Sequence, residues 1–358
     1  MGKIKVIHYV ETLDKGGLEN VIYNLTTRLD RKLFDVHVVC RISGGYTADR
    51  LKNLNIPLKI FNENKIPVWN LKNTLKGINH HSPTILHCHG LFATSSEAII
   101  GRLADFDSVF VHVHNLERPD SVYQRFKLAI LKRTISNFIA VSEEVKNSLA
   151  SSFIYNVEVI QNAIDTKKFK YLEETYSGKL GFSNNAFLIG MVGRIVKRKG
   201  YDYFVELIEN TSNVVGVIIG EGPYRECLES LVLQKKMQNR IKFLPFQSQD
   251  RLPHFYSILD AFFLFSEKEG LPLAILEAQS VGVPYIGNSI GGIGEVIEDG
   301  FNGFIHDKFN LSNIKKSISN IIEKPKLFRE NARKAVEENF SIDTMIKQIE
   351  NLYISSLN

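Results

Sequence analysis

Short runs rich in Val, Ile and Phe alternate with stretches whose apolar residues recur at helical spacing, and after Asn162 the same rhythm starts again. In the first half the runs are Ile4 to Val10, Val36 to Cys40, Ile85 to His89, Val109 to His114 and Phe138 to Val141, with a helix expected from about Leu18 to Leu29. In the second they are Leu188 to Val192, Val215 to Ile219, Ile241 to Leu244, Ala261 to Phe265 and Tyr285 to Gly287. Helices are expected there to begin near Tyr201, Tyr224, Asp250 and Leu273. Strands joined through helices pair in parallel, and the crossover helices cover both faces of the sheet. The pattern predicts two doubly wound, Rossmann-like α/β domains, over 1–165 and 166–340. Ligands are expected at the carboxyl ends of the strands, in the cleft between the domains. The polar, lysine-rich segment 162–186 reads as the linker. Within 341–358, Met345, Ile349, Leu352 and Tyr353 fall at helical spacing, which suits packing back on the first domain.

Length agrees with this division, since 358 residues at roughly 150 per domain make two. Hydrophobic residues at 44% and charged residues at 23% are ordinary globular values, which disfavours disorder and a small disulfide scaffold. The net charge of +5 suits an anionic small ligand or an acidic membrane surface, and does not demand nucleic acid. The three cysteines, Cys40, Cys88 and Cys227, are odd in number and far apart, so reduced thiols in a cytoplasmic protein are expected. The strongest apolar runs, from Val214 and Ala261, have strand length and not the ~18 to 20 residues of a spanning helix. The cations of the amino terminus precede only a short apolar run interrupted by His8, with no cleavage site, so secretion is not expected. Val6 stands where a myristoylation motif on Gly2 would want Ser or Thr.

The segment SEKEGLPLAILEAQSVGVP, from Ser266 to Pro284, follows a buried run and opens a helix. Glu269 is placed in the loop at the helix start, and Glu277 about one turn inside. Gly270 and Pro272 shape a turn whose amides, from about Gly270 to Leu273, point at whatever occupies the helix terminus. Such a terminus binds phosphate through unpaired N–H donors and the positive end of the helix dipole. A carboxylate beside phosphate repels it, so each glutamate is expected to face another group, sugar hydroxyls being the obvious donors. The plainer alternative is an acidic turn that stabilises its own helix. GRIVKRKG, Gly193 to Gly200, places Arg194, Lys197, Arg198 and Lys199 at a strand's carboxyl end. Arg grips a diphosphate bidentately and Lys supplies a point charge. Arg194 and Lys199 are expected to face the ligand and the two cations between them to be solvated, with a wholly solvated basic loop as the alternative.

In the first strand-to-helix loop, Gly16 and Gly17 remove side chains where a backbone must approach another group closely, unless this is an ordinary glycine turn. It is not the dinucleotide fingerprint, and no acidic residue ends the second strand. His87 and His89 share one side of their strand, and His112 and His114 one side of theirs. The end positions, His89 and His114, are best placed to touch a ligand, with satisfied core histidines as the alternative. A zinc site is conceivable, but no close Cys or carboxylate spacing supports it, and no metal is expected.

Taken together and in this order, GGLENVIYNL, IAVSEEVKNSL, VIQNAID, GRIVKRKG, GEGPYRECLESL and the paired-glutamate segment through GGIGEVIEDGFNGF resemble the retaining glycosyltransferases of family 4 over nearly the whole chain. The resemblance implies the GT-B fold and no metal or other cofactor. It implies a carboxy-terminal domain for a nucleotide-diphosphate sugar and an amino-terminal domain for a saccharide or lipid-diphosphate-linked acceptor. Residue by residue, it places Arg194 and Lys199 on the donor diphosphate, Glu277 on the ribose, and Glu269 near the donor sugar. The amides of Gly270, Leu271, Pro272 and Leu273 are placed on sugar and phosphate, although Pro272 itself has no N–H. His114 is placed beside the reacting centre, and Gly16 and Gly17 near phosphate. The chain departs from the family pattern at Ala163, where glycine is usual in N-G-I-D, and at Pro245, beside the base pocket. A nucleotide-sugar epimerase of the same fold and a non-catalytic nucleotide-binding protein are the competing readings; no nucleic-acid partner is expected. Finally, Val122, Phe126, Ala129 and Ile130 form a stripe within Ser121 to Phe138, flanked by Arg125, Lys127, Lys132 and Arg133. Such a stripe suits a helix on anionic lipid at the inner membrane face, or an ordinary core stripe under a solvated basic face.

Overall fold

The computed structural model describes residues 2–63, 68–78, 83–117, 119, 121–173, 179–183 and 185–357. Residues 1–162 with 343–358 form one compact unit and 163–342 the other.

The first unit runs β1 (Ile4–Leu13), α1 (Gly17–Arg28), β2 (Phe34–Gly44), α2 (Tyr46–Asn53), β3 (Leu58–Ile60), α3 (Val68–Ile78) and β4 (Thr84–His89). It continues α4 (Ser95–Leu103), β5 (Ser108–Val113), α5 (Val122–Thr134), β6 (Asn137–Ala140), α6 (Glu143–Ala150) and β7 (Val157–Val159). All the strand pairs are parallel, in the order β3-β2-β1-β4-β5-β6-β7. Every residue of β4 and β5 is buried, as central strands covered on both faces require.

The second unit runs β8 (Phe187–Val192), α7 (Tyr201–Glu209), β9 (Val214–Ile219), α8 (Arg225–Gln234), β10 (Ile241–Leu244), α9 (Leu252–Ser257) and β11 (Ala261–Leu264). After it come α10 (Leu273–Ser280), β12 (Tyr285–Gly287), α11 (Ile293–Val296), β13 (Gly303–Ile305), α12 (Leu311–Glu323) and α13 (Pro325–Asn339). This sheet is also parallel, in the order β10-β9-β8-β11-β12-β13. In a doubly wound sheet the order reverses at one place, and the loops leaving the carboxyl ends of the two strands there diverge and open a crevice. In the second unit those strands are β8 and β11, and their loops are GRIVKRKG and SEKEGLP. In the first unit they are β1 and β4, which end at the Gly16–Gly17 loop and at His89.

The last helix, α14 (Ile342–Ser355), belongs mostly to the first unit. Met345, Ile349 and Tyr353 are buried, and the Tyr353 ring lies 5.9 Å from that of Phe34 and 5.4 Å from that of Phe110. The backbone N–H of Asp30 donates to Glu350 Oε1 at 2.7 Å.

Four strands, β3, β7, β12 and β13, have only three residues each; β12 was expected from the sequence, whereas β3, β7 and β13 were not, three residues being too few for a period-two pattern to stand out. β5 ends at Val113, so His114 follows the strand instead of closing it. The expected linker is packed where it begins. Ala163, Ile164 and Phe169 are buried, Ile164 donates its N–H to Phe340 O at 3.0 Å, and Arg333 donates to the Phe169 and Thr166 carbonyls. Residues 174–178 and 184 of that segment lie outside the described residues.

Candidate functional site

GRIVKRKG leaves β8, forms a single 3-10 turn over Lys197–Lys199, and closes on Gly200 with φ +79°. A Cβ there would sit 2.2 Å from the carbonyl oxygen of Phe265, so only glycine lets the loop lie against the end of β11. The two loops are then stitched together. The Arg198 carbonyl accepts from Glu267 N at 2.8 Å, and its guanidinium Nη1 donates to Lys268 O at 2.8 Å. Arg198 is thus exposed but not merely solvated as the sequence suggested, because it holds the neighbouring loop. Lys197 is exposed, as is Arg194 at the head of the loop.

Lys199 Nζ lies 2.6 Å from Glu269 Oε1, and the two side chains are only 19% and 7% exposed. Two positions taken separately from the sequence are therefore an ion pair. Both Gly270 and Leu271 are buried, Pro272 is half-buried, and α10 starts at Leu273 with no side chain capping it. Its first-turn N–H groups carry the partial positive charge that suits an anion. Behind them the glycine loop of Gly291 and Gly292 closes in. Gly291 has φ +63°, a Cβ on it would lie 2.3 Å from Glu269 O, and Gly292 N–H donates to Gly270 O.

Glu277, one turn inside α10, is buried. Its Oε1 accepts from Gln249 Nε2 at 2.9 Å and its Oε2 from the Tyr256 hydroxyl at 2.8 Å. Burial raises its pKa above the ordinary carboxylate value, while both hydrogen bonds and the charge of Lys168 oppose that rise. Each carboxylate oxygen can accept again, so the group retains capacity for a ligand hydroxyl. Gln249 and Tyr256 were not singled out in the sequence, and nothing in their spacing could have done so.

In the first unit the glycine loop differs from expectation. Gly16 has an extended backbone with φ 168°, and a Cβ there would meet the Glu19 carboxylate, at 2.3 Å from Oε2. At Gly17 a Cβ would meet nothing within 4 Å. No backbone of this chain forces glycine at Gly17; the missing side chain leaves open space at the start of α1.

The histidines form a larger group than the sequence suggested. His8 of β1 is in register with His87 of β4, and His89 with His112 of β5. With His114 these five rings share one buried face of the sheet. His8 Nδ1 is 3.0 Å from His89 Nε2, and His89 Nδ1 is 3.0 Å from His114 Nε2. His87 Nδ1 bonds the Tyr353 hydroxyl. Burial lowers the pKa of every one of the five, that of His8 and of His114 to about 3, so all are neutral imidazoles at neutral pH. Two trios, His8–His87–His89 and His89–His112–His114, bring ring nitrogens within 4.8 Å of one another. Their rings stack, His87 on His89 at 4.4 Å and 16°, and His112 against His114 at 4.1 Å and 32°. In-plane lone pairs of stacked rings run side by side instead of converging on one point, and both His89 nitrogens already face other imidazoles.

Two doubly wound parallel sheets, with an uncapped helix terminus beside a lysine–carboxylate pair at the strand-order reversal of the second, make a two-domain protein with a site suited to an anionic ligand. Family models cover nearly all of the chain: residues 15–168 match Glycosyltransferase Family 4 and residues 173–339 match glycosyl transferases group 1. The chain belongs to this family of GT-B glycosyltransferases. It is 26% identical to the Escherichia coli UDP-Gal:alpha-D-GlcNAc-diphosphoundecaprenol alpha-1,3-galactosyltransferase, over 98% of this chain and 97% of that protein. It is 28% identical to the Staphylococcus aureus capsular polysaccharide biosynthesis glycosyltransferase CapM, over 65% of this chain and 64% of that one. Among solved structures, Anabaena HepE in complex with UDP-glucose superposes with a TM-score of 0.83 at 21% identity, covering 98% of this chain and 99% of that one.

Proposed function

We propose that this chain is a retaining, metal-independent glycosyltransferase. It moves a sugar from a UDP-sugar to a hydroxyl of a saccharide or lipid-diphosphate-linked saccharide, in surface polysaccharide or glycolipid biosynthesis. The observation that carries the reading is the Lys199–Glu269 pair at the uncapped start of α10, with Glu277 buried one turn further on. Cation and helix terminus suit the diphosphate, Glu269 the sugar hydroxyls, and Glu277 the ribose hydroxyls. The names of the Escherichia coli galactosyltransferase and of CapM support the acceptor class, and the former, with the HepE complex, supports UDP as the nucleotide.

In the reaction the acceptor oxygen bonds the anomeric carbon on the face from which the nucleotide departs. The bond from that carbon to the diphosphate oxygen breaks, and the acceptor's proton passes to the departing diphosphate. Arg194 and Lys199 stabilise the charge that builds on the leaving group. Gly17, whose side-chain position is open, leaves room for a phosphate, whereas the space beside Gly16 is taken by the Glu19 carboxylate. The ribose role is tested with Glu277→Gln, which keeps the shape of the carboxylate and so spares Gln249 and Tyr256 a cavity. A lost charge-assisted hydrogen bond predicts UDP binding about ten- to a hundredfold weaker by calorimetry. An unchanged Kd removes Glu277 from the ribose site.

The surface of the first unit supports docking on an anionic membrane. On α5, Leu128 and Leu131 face the core, whereas Val122 is 83% and Phe126 65% exposed, with Tyr123 exposed beside them. The apolar stripe is thus split: Ala129 and Ile130 are half-buried, and the outward part is Val122, Tyr123 and Phe126. Lys127 Nζ lies 4.9 Å from the centre of the Tyr123 ring, and Lys132 Nζ 5.1 Å from that of exposed Phe153, so cations and aromatics are interleaved. Sedimentation with phosphatidylglycerol vesicles at low salt is expected to carry the protein down. The double variant Val122→Ser/Phe126→Ser is expected to bind about tenfold or more weakly. Failure of the wild type to sediment contradicts the docking.

A further inference from the structure

We propose that Tyr256 and Gln249 are positioning residues for the nucleotide's ribose: their hydrogen bonds hold the Glu277 carboxylate ionised and aimed, so that it accepts from the ribose hydroxyls. The proposal rests on the reading of Glu277 given above and adds what makes that side chain fit for the task.

A carboxyl group accepts from a diol with both oxygens only as an anion, because the neutral acid spends one oxygen on its own proton and becomes a donor there. Burial works against the anion. Glu277 is 3% exposed, and a charge taken out of water without partners is costly. The partners here are two neutral donors, one on each oxygen: Gln249 Nε2 at 2.9 Å from Oε1 and the Tyr256 hydroxyl at 2.8 Å from Oε2. Hydrogen bonds to the charged form favour it, as does the nearby charge of Lys168. With one bond on each oxygen the group cannot turn without breaking both, and a lone pair remains on each for a ligand.

The two donors are placed differently. Tyr256, on α9, is fully buried, with its ring 6.4 Å from that of Phe169. The next residue, Ser257, accepts at Oγ from Leu172 N–H at 3.0 Å, so the segment that opens this unit fixes the tyrosine from behind. Gln249 is half-buried in the loop between β10 and α9, and Asp250 beside it pairs with Lys168 Nζ at 2.7 Å. That loop leaves the carboxyl end of β10, the side of such a sheet on which ligands bind. The carboxylate is therefore walled off on the tyrosine side and borders the surface on the glutamine side, where the ribose hydroxyls enter.

Calorimetry with UDP and with dideoxy-UDP, which lacks both ribose hydroxyls, separates ribose recognition from the rest of the nucleotide. The wild type is expected to prefer UDP by about tenfold or more. Tyr256→Phe keeps the ring against Phe169, and Gln249→Met keeps the length of the side chain. Each should cut the preference to about threefold or less, with the Kd of dideoxy-UDP within about twofold of the wild-type value. In a Glu277→Gln background neither substitution should lower the preference further, since both act through that carboxylate. If Tyr256→Phe does not fold, Gln249→Met, at a half-buried position, carries the test. Equal losses for the two nucleotides mark a merely structural role and overturn the proposal, as does a preference that survives both substitutions. Tighter UDP binding by Gln249→Met also overturns it, because the glutamine then competes with the ribose. A wild type that binds both nucleotides alike removes Glu277 from the ribose, and the proposal with it, an outcome distinct from a preference that outlasts the substitutions.

Discussion

Lys199→Ala is expected to lower turnover about a hundred- to a thousandfold, the usual loss when one preorganised donor to a developing negative charge is removed. The geometry adds a second effect. Lys199 is paired at 2.6 Å with Glu269, whose side chain is 7% exposed, so removing the lysine leaves a buried carboxylate without its cation. Breaking a buried pair from one side typically costs about 3–5 kcal/mol of stability. The two effects separate in the double variant Lys199→Ala/Glu269→Gln. Its melting temperature should lie closer to that of the wild type than the single variant's does, because no unpaired charge remains, while its turnover should stay low. Near-normal turnover in either variant removes Lys199 from the diphosphate site. Equal melting temperatures for the two variants show that the pair contributes nothing to folding.

Acid is expected to unfold the first unit well before ordinary carboxylates are protonated. His8 and His114 are held down to about 3 in the folded chain, against about 6.5 when unfolded. Below pH 6.5 the unfolded chain therefore binds protons that the folded chain refuses, so stability falls as pH drops, and goes on falling to about pH 3. At pH 5 each of these two rings has removed about 2 kcal/mol. His87, His89 and His112, whose values burial also lowers, act in the same direction. Glu97, raised by burial, acts in the opposite one. With a typical domain stable by about 5–15 kcal/mol, this is a large share. Denaturant titrations at pH 7.5 and 5, read by amide exchange in β1, β4 and β5, measure it. Equal stability at the two pH values contradicts burial of the five rings as neutral imidazoles.

Most of the architecture was open to reading along the chain, because a restart of the strand–helix rhythm admits few folds. The strands that escaped, such as Leu58–Ile60 and Gly303–Ile305, are three residues long and owe their pairing to neighbours, not to their own pattern. The site was legible in its parts and not in its connections. Lys199 and Glu269 stand 70 residues apart in the sequence, and their pairing depends on β8 and β11 being neighbours in the sheet. His8 passed as part of an apolar run until register with His87 placed it in the histidine face. Arg198 looked like a solvated cation because its partner is a backbone carbonyl, which no composition signal marks.

Acceptor-dependent transfer tests the central claim most directly. Purified protein is incubated with a panel of UDP-sugars, with and without a polyprenyl-diphosphate-linked sugar, and both UDP release and the product's anomeric configuration are read. The expected result is UDP release that requires acceptor, one donor preferred over the rest, and a product that keeps the donor's configuration. Inverted product contradicts the retaining mechanism, and consumption or epimerisation of donor at the same rate without acceptor contradicts the assignment as a transferase.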